Sequence, residues 1–257
     1  MKFYYLIHFQ FLGFRYHGWQ KQTKYKTIQG TVEESVTKIL GDQYKTIGAS
    51  RTDSMVSAMH SCFELITETQ LDPVHFSRVL DKLLPPDIRI LKCESVDRKF
   101  RMITSAKHKE YLYFFSCGEK GHPFSAPFIT HMNEELNIEM MKEAAAKFIG
   151  VHNFKNYCYR PSEGQDFERE IFLSEICVNN VLSANFFPEH TYIFRVQAES
   201  FMRHQVRLMM GILFRIGMDQ FNITELITSL EKPTDNFPSM IAPASGLILN
   251  QLTLDAK

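Results

Sequence analysis

The order of strand-like and helix-like segments is the feature that most constrains the fold of this 257-residue chain. Residues 3–11 alternate in hydrophobicity with a period of two, which predicts a half-buried strand. A helical pattern, two strand patterns on either side of residues 48–60, a second helical pattern and a strand over 88–96 follow in turn. The first half therefore has the order β-α-β-β-α-β, which is a split βαβ unit.

Capping signals indicate where the two helices of this half begin and end. Thr31–Glu34 has the composition of a capping box, and Gly41 ends the helix that follows. Asp72 followed by Pro73 starts the second helix, which stops before Pro85. The apolar residues expected to face the core are Val32, Val36, Ile39 and Leu40 in the first helix and Phe76, Val79, Leu80 and Leu83 in the second.

The second half repeats this order. It starts with an aromatic strand around residues 111–115 and a helix that ends at Gly150, with Met141, Ala145, Phe148 and Ile149 facing inward. Strands over 170–178 and 191–198 follow. Helices over 204–218 and from Ile223 and a last strand over 247–254 complete it. Residues 118–123 and 160–167 are expected to be loops. We predict an α+β protein in which two split-βαβ halves, similar to ferredoxin or RRM units and spanning residues 1–104 and 105–257, share a mainly antiparallel central sheet with a cleft between them.

Charge is balanced overall but unevenly distributed. The chain has 29 basic and 29 acidic residues, and a net charge of zero argues against general nucleic-acid binding. Basic residues nevertheless concentrate in segments 15–26 and 98–109. Tyr16, Trp19 and Tyr25 are interleaved with the first cluster, which is typical of a loop that contacts phosphates and bases. The alternative is a solvent-exposed hairpin tip rich in lysine.

Cysteine usage and hydropathy indicate the class of environment. The five cysteines are far apart, without a Cys-x-x-Cys pair or paired histidines, so they suggest neither a disulfide framework nor a zinc site. No apolar run approaches the roughly 20 residues that span a bilayer, and the N-terminus begins with a strand pattern instead of a signal peptide. We expect a globular, cytoplasmic protein.

The stretch Gly48–His60 is the candidate active-site loop. Small residues surround one arginine, Arg51, and one carboxylate, Asp53, so a ligand could approach the backbone closely. The cation would help to keep the carboxylate ionised. The alternative is an aspartate that caps a turn, beside an arginine in a solvated ion pair.

Five motifs in the same order along the chain resemble those of the tRNA pseudouridine synthase A family. They are Phe11–Gln22, with its Gly-Trp-Gln; the loop Arg51–Ala58, which is similar to Arg-Thr-Asp-Ala-Gly-Val-His-Ala; Ser105–Tyr113; Phe201–Arg207, which is similar to Phe-x-x-His-x-Val-Arg; and Ala242–Leu247, which is similar to Ala-Pro-x-x-Gly-Leu. The resemblance covers nearly the whole chain.

The resemblance implies an enzyme that converts uridine to pseudouridine in the anticodon stem-loop of tRNA, as a homodimer and without a cofactor or metal. It implies that Asp53 is the catalyst, that Arg207 pairs with it and that Tyr111 stacks on the target base. By the same carry-over, Val56 and Leu247 line the base pocket and Arg51 contacts the RNA backbone. Phosphate contacts are expected from Arg15, Lys21, Lys24, Lys107 and Lys109.

The sequence departs from the family pattern at five positions, which are Leu12, Ser50, Ser54, Met55 and Ser57. Met55 stands where glycine is usual, so either the loop avoids positive φ or the pocket differs. Two alternatives therefore stay open. One is an RNA-binding protein of the same fold without turnover, and the other is an unrelated metabolic enzyme that uses Asp53 as an acid or base.

Overall fold

The structure is a computed structural model that describes residues 1–234, 237–238 and 240–254, without the side chains of residues 103 and 104. The strands are β1 (Phe3–Phe11), β2 (Tyr44–Gly48), β3 (Ser57–Thr67), β4 (Ile88–Ser95), β5 (Ala106–Cys117), β6 (Thr130–Met132), β7 (Gly150–Asn153), β8 (Glu168–Val178), β9 (Tyr192–Ala198) and β10 (Leu247–Leu254). The helices are α1 (Ile28–Leu40), α2 (Pro73–Leu83), α3 (Met102–Ser105), α4 (Ile138–Ala146), α5 (Gln205–Gly217) and α6 (Ile223–Glu231).

The chain forms two compact units. The first comprises Met1–Lys107 together with β10 after Leu247, and the second comprises His108–Leu247. Each unit combines helices with a mainly antiparallel sheet, so the predicted α+β class is confirmed. The order of segments had placed the last strand with the second half. In the structure Ile248 and Leu249 pair in parallel with Ser57 and Ala58, which groups this strand with the first unit.

In the first unit β3 lies at the centre of the sheet. It pairs antiparallel with β1 and with β2, and β1 pairs antiparallel with β4. Side chains of Ile7, Phe9 and Phe63 are fully buried, and the ring centroids of Phe9 and Phe63 lie 5.4 Å apart. Because side chains alternate along a strand, the neighbouring residues, such as His8 and Cys62, lie on the opposite face.

Helix α1 begins earlier than its sequence indicated. The hydroxyl oxygen of Thr27 accepts a hydrogen bond from the backbone N–H of Gly30, so Thr27 is the N-cap and Thr31 lies inside the helix. The predicted capping box at Thr31 is therefore wrong. The predicted end is confirmed, since Gly41 follows the helix with φ of 68°.

Helix α2 begins as predicted, with a carboxylate oxygen of Asp72 accepting from the backbone N–H of His75. Leu83, predicted to face inward, is 40% exposed. Because the helix ends at this residue and the chain then extends, Leu84 takes the buried position instead. Ile149, also predicted to face inward, is exposed for a similar reason. Because α4 ends at Ala146, Ile149 lies beyond the helix and no longer follows its inward-facing side.

In the second unit four strands pair antiparallel in the order β5-β9-β8-β7, and the short β6 lies parallel to β5. The strands β6 and β7 are additions to the predicted order. Helix α5 is buried along most of its length, including all five residues predicted to face inward, which are Val206, Met209, Met210, Leu213 and Ile216. Phe214 packs edge-to-face against Tyr113 and Phe115 of β5, so α5 anchors the core of this unit.

The predicted loop over 160–167 contains neither helix nor strand, and the one predicted over 118–123 differs only at Pro123, which begins a short 3-10 helix, Pro123–Ser125. Within the described part of the chain, no helix has the length and apolar character needed to cross a bilayer.

Candidate functional site

The Asp53 loop connects β2 to β3. Its eight residues, 49–56, are fewer than the sequence suggested, because β3 already begins at Ser57 and takes His60 into the strand. Asp53 is half-buried and Arg51 is exposed, whereas Val56 is 1% exposed. The backbone N–H of Val56 donates to the carbonyl oxygen of Asp53 at 3.2 Å, which closes a four-residue turn.

Met55 is the third residue of this turn and has φ of 68°. The first possibility that the sequence left open, that the loop avoids positive φ, is therefore wrong, because φ is positive at the position where the family pattern has glycine. Turns of this kind favour glycine there because a side chain crowds the backbone at positive φ. Met55 keeps the turn in this conformation without a glycine.

Backbone hydrogen bonds attach the loop to the segment 13–19. Trp19 N–H donates to the carbonyl oxygen of Thr52 at 3.2 Å, and Met55 N–H donates to that of Tyr16 at 3.0 Å. At the start of β3, the hydroxyl of Ser57 accepts from the N–H of Gly13 at 2.9 Å. The motif around Gly18-Trp19 and the Asp53 motif, which are far apart in sequence, are thus one structural element.

This contact is close enough to require glycine. A β-carbon at Gly18, which has φ of 82°, would lie 2.4 Å from the carbonyl oxygen of Thr52, and one at Gly13 would lie 1.9 Å from that of Val56. Both distances are shorter than carbon and oxygen atoms allow. The two glycines therefore allow the Asp53 loop to lie in direct contact with the segment 13–19.

Two of the aromatic residues expected to contact RNA bases are part of the core. Tyr16 is 1% exposed and Trp19 is 4% exposed, and the indole of Trp19 packs against Phe9 at a centroid distance of 5.3 Å. The interpretation of Tyr16 and Trp19 as stacking residues is therefore wrong. Tyr25, in contrast, is 53% exposed and stacks on His17.

Two of the basic residues assigned to phosphate already contact carboxylates. The Arg15 guanidinium lies 2.5 Å from a carboxylate oxygen of Asp87, and Tyr16 donates its hydroxyl to the same group at 2.8 Å. Although burial opposes ionisation, these two hydrogen bonds hold the pKa of Asp87 below its usual range. Lys21 lies 2.8 Å from Glu33, and the Lys24 side chain is exposed.

The remaining cations lie near the unit boundary. Lys107, the last residue of the continuous part of the first unit, is half-buried. Lys109, in the second unit, is also half-buried, and burial lowers the pKa of its ammonium group. Burial therefore makes Lys109 a weaker candidate for a phosphate contact than the exposed Lys24.

In the second unit Arg207 is held by the Ala242–Leu247 motif. Its Nε donates to the carbonyl oxygen of Ala242 at 2.8 Å, and Ala242 N–H donates back to the carbonyl oxygen of Arg207 at 3.1 Å. The hydroxyl of Tyr113 donates to the carbonyl oxygen of Pro243 at 2.8 Å. The two motifs that carry Arg207 and Leu247 thus form a second connected element, in which Leu247 is 5% exposed.

Tyr111 and Tyr113 have different environments. Tyr113 is fully buried, as a core tyrosine would be. Tyr111 is 7% exposed, and its ring meets that of Phe201 edge-to-face at 5.3 Å. This packing fixes the orientation of the Tyr111 ring. Because Phe201 begins the motif that contains Arg207, it also connects Tyr111 to that motif.

A cationic aromatic cluster in the second unit was not predicted. The rings of Tyr159 and His204 stack at 4.6 Å, and the guanidinium groups of Arg203 and Arg160 lie 5.0 and 5.2 Å from the centroid of Tyr159. Both arginines are exposed. The signal in the sequence was weak, because Arg160 lies in an expected loop and Arg203 precedes the motif histidine by one position.

Comparison with known proteins agrees with the motifs. A family model described as tRNA pseudouridine synthase matches residues 7–103 and 144–253. The chain is 30% identical to tRNA pseudouridine synthase A of Thermodesulfovibrio yellowstonii over 253 residues, covering 95% of this chain and 96% of the relative. It is 30% identical to tRNA pseudouridine synthase A 2 of Bacillus cereus over 249 residues, with coverages of 96% and 98%. The chain therefore belongs to the tRNA pseudouridine synthase family.

Proposed function

We propose that this protein isomerises uridine to pseudouridine in the anticodon stem-loop of tRNA and that Asp53 is the catalytic residue. The observation that carries the proposal is the turn at Asp53. The family's aspartate motif occupies a loop that glycines and backbone hydrogen bonds hold against the first unit, with the carboxylate half-buried. A carboxylate held in this way is oriented before substrate binds.

The reaction requires the target base to leave its stack. The bond between ribose C1′ and uracil N1 breaks, the ring turns, and C1′ joins C5. The hydrogen on C5 leaves as a proton and N1 gains one, so the step is an isomerisation that consumes no other reactant. Ionised Asp53 acts as the nucleophile or base in this sequence.

The other site residues have supporting roles in this proposal. The resemblance to the family assigns to Arg207 the role of orienting the carboxylate of Asp53. Tyr111 stacks on the extruded uracil, Val56 and Leu247 form the apolar side of its pocket, and Arg51 contacts the RNA backbone. The chain works as a homodimer in the cytoplasm, without a cofactor.

RNA binding in this proposal uses two groups of residues. Phosphate contacts come from Lys24, Lys107 and Lys109. Arg15 and Lys21 join them once each has given up its carboxylate partner for a phosphate. The exposed cluster of Arg160 and Arg203 around Tyr159 adds a second positive surface, since arginine beside an aromatic ring suits both phosphate and base.

Replacing Asp53 with Asn tests the catalytic assignment. The amide keeps the size of the side chain but has no charge, so pseudouridine formation on an unmodified tRNA transcript should fall below detection while tRNA affinity stays near normal. The matched control is Asp42→Asn at an exposed carboxylate of the same unit, which should leave turnover unchanged.

Three results would contradict the proposal in different ways. Full activity of Asp53→Asn would make Asp53 a turn residue, since Asn and Asp cap turns comparably. Loss of stability by several degrees together with loss of binding would make it structural. Wild-type protein that binds tRNA but forms no pseudouridine would be an RNA-binding protein without turnover.

A further inference from the structure

Three side chains with metal-ligand atoms converge on one face of the first unit's sheet. His8 of β1 lies directly opposite Cys62 of β3, and His60 precedes Cys62 by two residues. Because side chains two apart on a strand share a face, all three point to the same side. None of them belongs to the Asp53 loop.

The ligand atoms are close together. His8 Nδ1 lies 2.9 Å from His60 Nε2 and 3.2 Å from Cys62 Sγ, and Cys62 Sγ lies 3.8 Å from His60 Nε2. In a tetrahedral zinc site, with bonds of about 2.0 to 2.3 Å, ligand atoms lie roughly 3.3 to 3.8 Å apart. Adjustments of a few tenths of an ångström in side-chain torsions would therefore bring the three atoms to these separations.

A carboxylate orients the first histidine. His8 Nε2 lies 2.9 Å from Glu94 on β4, and Lys92 holds the other oxygen of Glu94 at 2.6 Å. An ionised carboxylate accepts only, so His8 donates from Nε2 and directs the lone pair of Nδ1 toward His60 and Cys62. This is the carboxylate–histidine arrangement that supports metal ligands in proteins.

The environment favours neutral imidazole and disfavours a free thiolate. Burial lowers the pKa of His60, which favours the neutral ring that can act as a ligand. Burial raises the pKa of Cys62 to about 12, so its sulfur ionises at neutral pH only when a cation is beside it.

From this geometry we propose that His8, His60 and Cys62 bind a transition-metal cation of the zinc class. Two imidazole nitrogens and one thiolate suit borderline or soft cations, and three protein ligands leave a fourth position for water or another donor. Binding displaces the thiol proton of Cys62 to solvent, and no oxidation or reduction takes place. The cation would cross-link β1 to β3 and so stabilise the first unit.

The alternative is a hydrogen-bonded cluster alone, in which His60 Nε2–H donates to His8 Nδ1. Cobalt(II) and zinc(II) distinguish the two, because a cobalt–thiolate bond gives a charge-transfer absorption band that a hydrogen-bonded cluster cannot give. Chelator-treated protein should bind one equivalent of either ion per chain. Zinc should raise the melting temperature, since a ligand that binds only the folded state stabilises it.

Cys62→Ser should abolish the cobalt charge-transfer band, and His60→Gln should weaken zinc binding at least tenfold. Glu94→Gln should weaken it by about 10- to 100-fold through the orientation of His8. The matched control is Cys93→Ser. Cys93 is a buried cysteine with a similarly raised pKa on β4, and it pairs with Ile7, so it faces the other side of the sheet.

Loss of the band in Cys62→Ser and its retention in Cys93→Ser would support the site. A band that persists in folded Cys62→Ser, or zinc binding equal in wild type and His60→Gln, would overturn it. If Cys62→Ser does not fold, zinc binding by His60→Gln still distinguishes a metal site from a hydrogen-bonded cluster, because His60 is only half-buried and its replacement perturbs the fold less. These measurements require no RNA, so their result is independent of the proposed reaction.

Discussion

The carbonyl oxygen of Thr52 lies only 2.4 Å from the place that a β-carbon on Gly18 would occupy. Thr52 directly precedes Asp53, and the N–H of Trp19 donates to the same carbonyl group. Position 18 therefore controls the distance between the Asp53 loop and the segment 13–19 through backbone contact alone. No charged or reactive group takes part in this control.

Gly18→Ala should displace the loop and reduce pseudouridine formation by at least tenfold. It should also destabilise the fold, because alanine adds both the cost of positive φ, about 1 to 2 kcal/mol, and the collision with Thr52. Gly41→Ala is the control, since Gly41 also has positive φ but no atom lies within 4 Å of its ideal β-carbon. Urea unfolding and a tRNA assay measure both effects. Equal loss of activity in the two variants would refute the role of the close contact.

Met55→Gly should leave the stability within about 1 kcal/mol of wild type. Glycine removes the strain of φ at 68° but adds conformational freedom to the unfolded chain, and these terms are of similar size. Met55→Ala keeps the strain and loses the side chain, so it should be less stable than Met55→Gly. Denaturant unfolding of the three proteins measures the order. A glycine variant less stable than the alanine variant would show that the positive φ is not strained.

Asp87→Asn should lower stability at neutral pH and have progressively less effect in acid. The folded-state pKa of Asp87 is depressed, so its contribution is present above the unfolded-state value, about 4, and is lost as pH falls through the folded-state value. Unfolding free energies of wild type and variant across this range give the difference. Asp42→Asn at an exposed site is the control. A difference that grows as pH falls would contradict the assignment.

Lys24→Ala should lower the slope of log affinity for tRNA against log salt by about 0.7 to 0.9, the value for one lost phosphate contact. Lys21→Ala should change it less, since Lys21 must first leave Glu33 at 2.8 Å. Lys82→Ala, at an exposed lysine on α2, is the control. Binding measured at several salt concentrations tests the order. An unchanged slope in Lys24→Ala would show that Lys24 does not contact a phosphate of the tRNA.

Tyr111→Phe should keep tRNA affinity and reduce turnover, because the ring remains and the hydroxyl is lost. Tyr111→Leu should reduce both, since stacking is lost as well. Single-turnover assays and tRNA binding separate the two effects. Tyr113→Phe, which removes hydrogen bonds to Pro243 and Thr130 within the core, should mainly lower thermal stability. Full turnover in Tyr111→Phe would leave only the stacking role.

Most strands and helices were predictable because their hydrophobic periods are strong, as in β1, α2 and α5. The start of α1 was not, because Thr31 and Glu34 match the capping-box pattern better than Thr27, which is followed at the third position by glycine. A capping box does form at the start of α6, where Asn222 is the N-cap and Glu225 is the third helical residue. Local pattern alone does not decide between competing caps.

The site was predictable only in part, for a related reason. The loop and its aspartate have a local signature. The burial of Tyr16 and Trp19 depends instead on packing against strands from elsewhere in the chain. The His8–His60–Cys62 group depends on the register between β1 and β3, which spacing along one strand does not show.

The parallel pairing of Ile248 and Leu249 with Ser57 and Ala58 has a consequence for biosynthesis. Residues 57 and 58 leave the ribosome early, while their partners follow only after the entire second unit has been translated. In a nascent chain, the edge of β3 next to the Asp53 loop therefore stays without this partner throughout that interval. The first unit therefore lacks one of its strands until the second unit has been synthesised, and a chain terminated before Ile248 would leave this edge of β3 without its parallel partner.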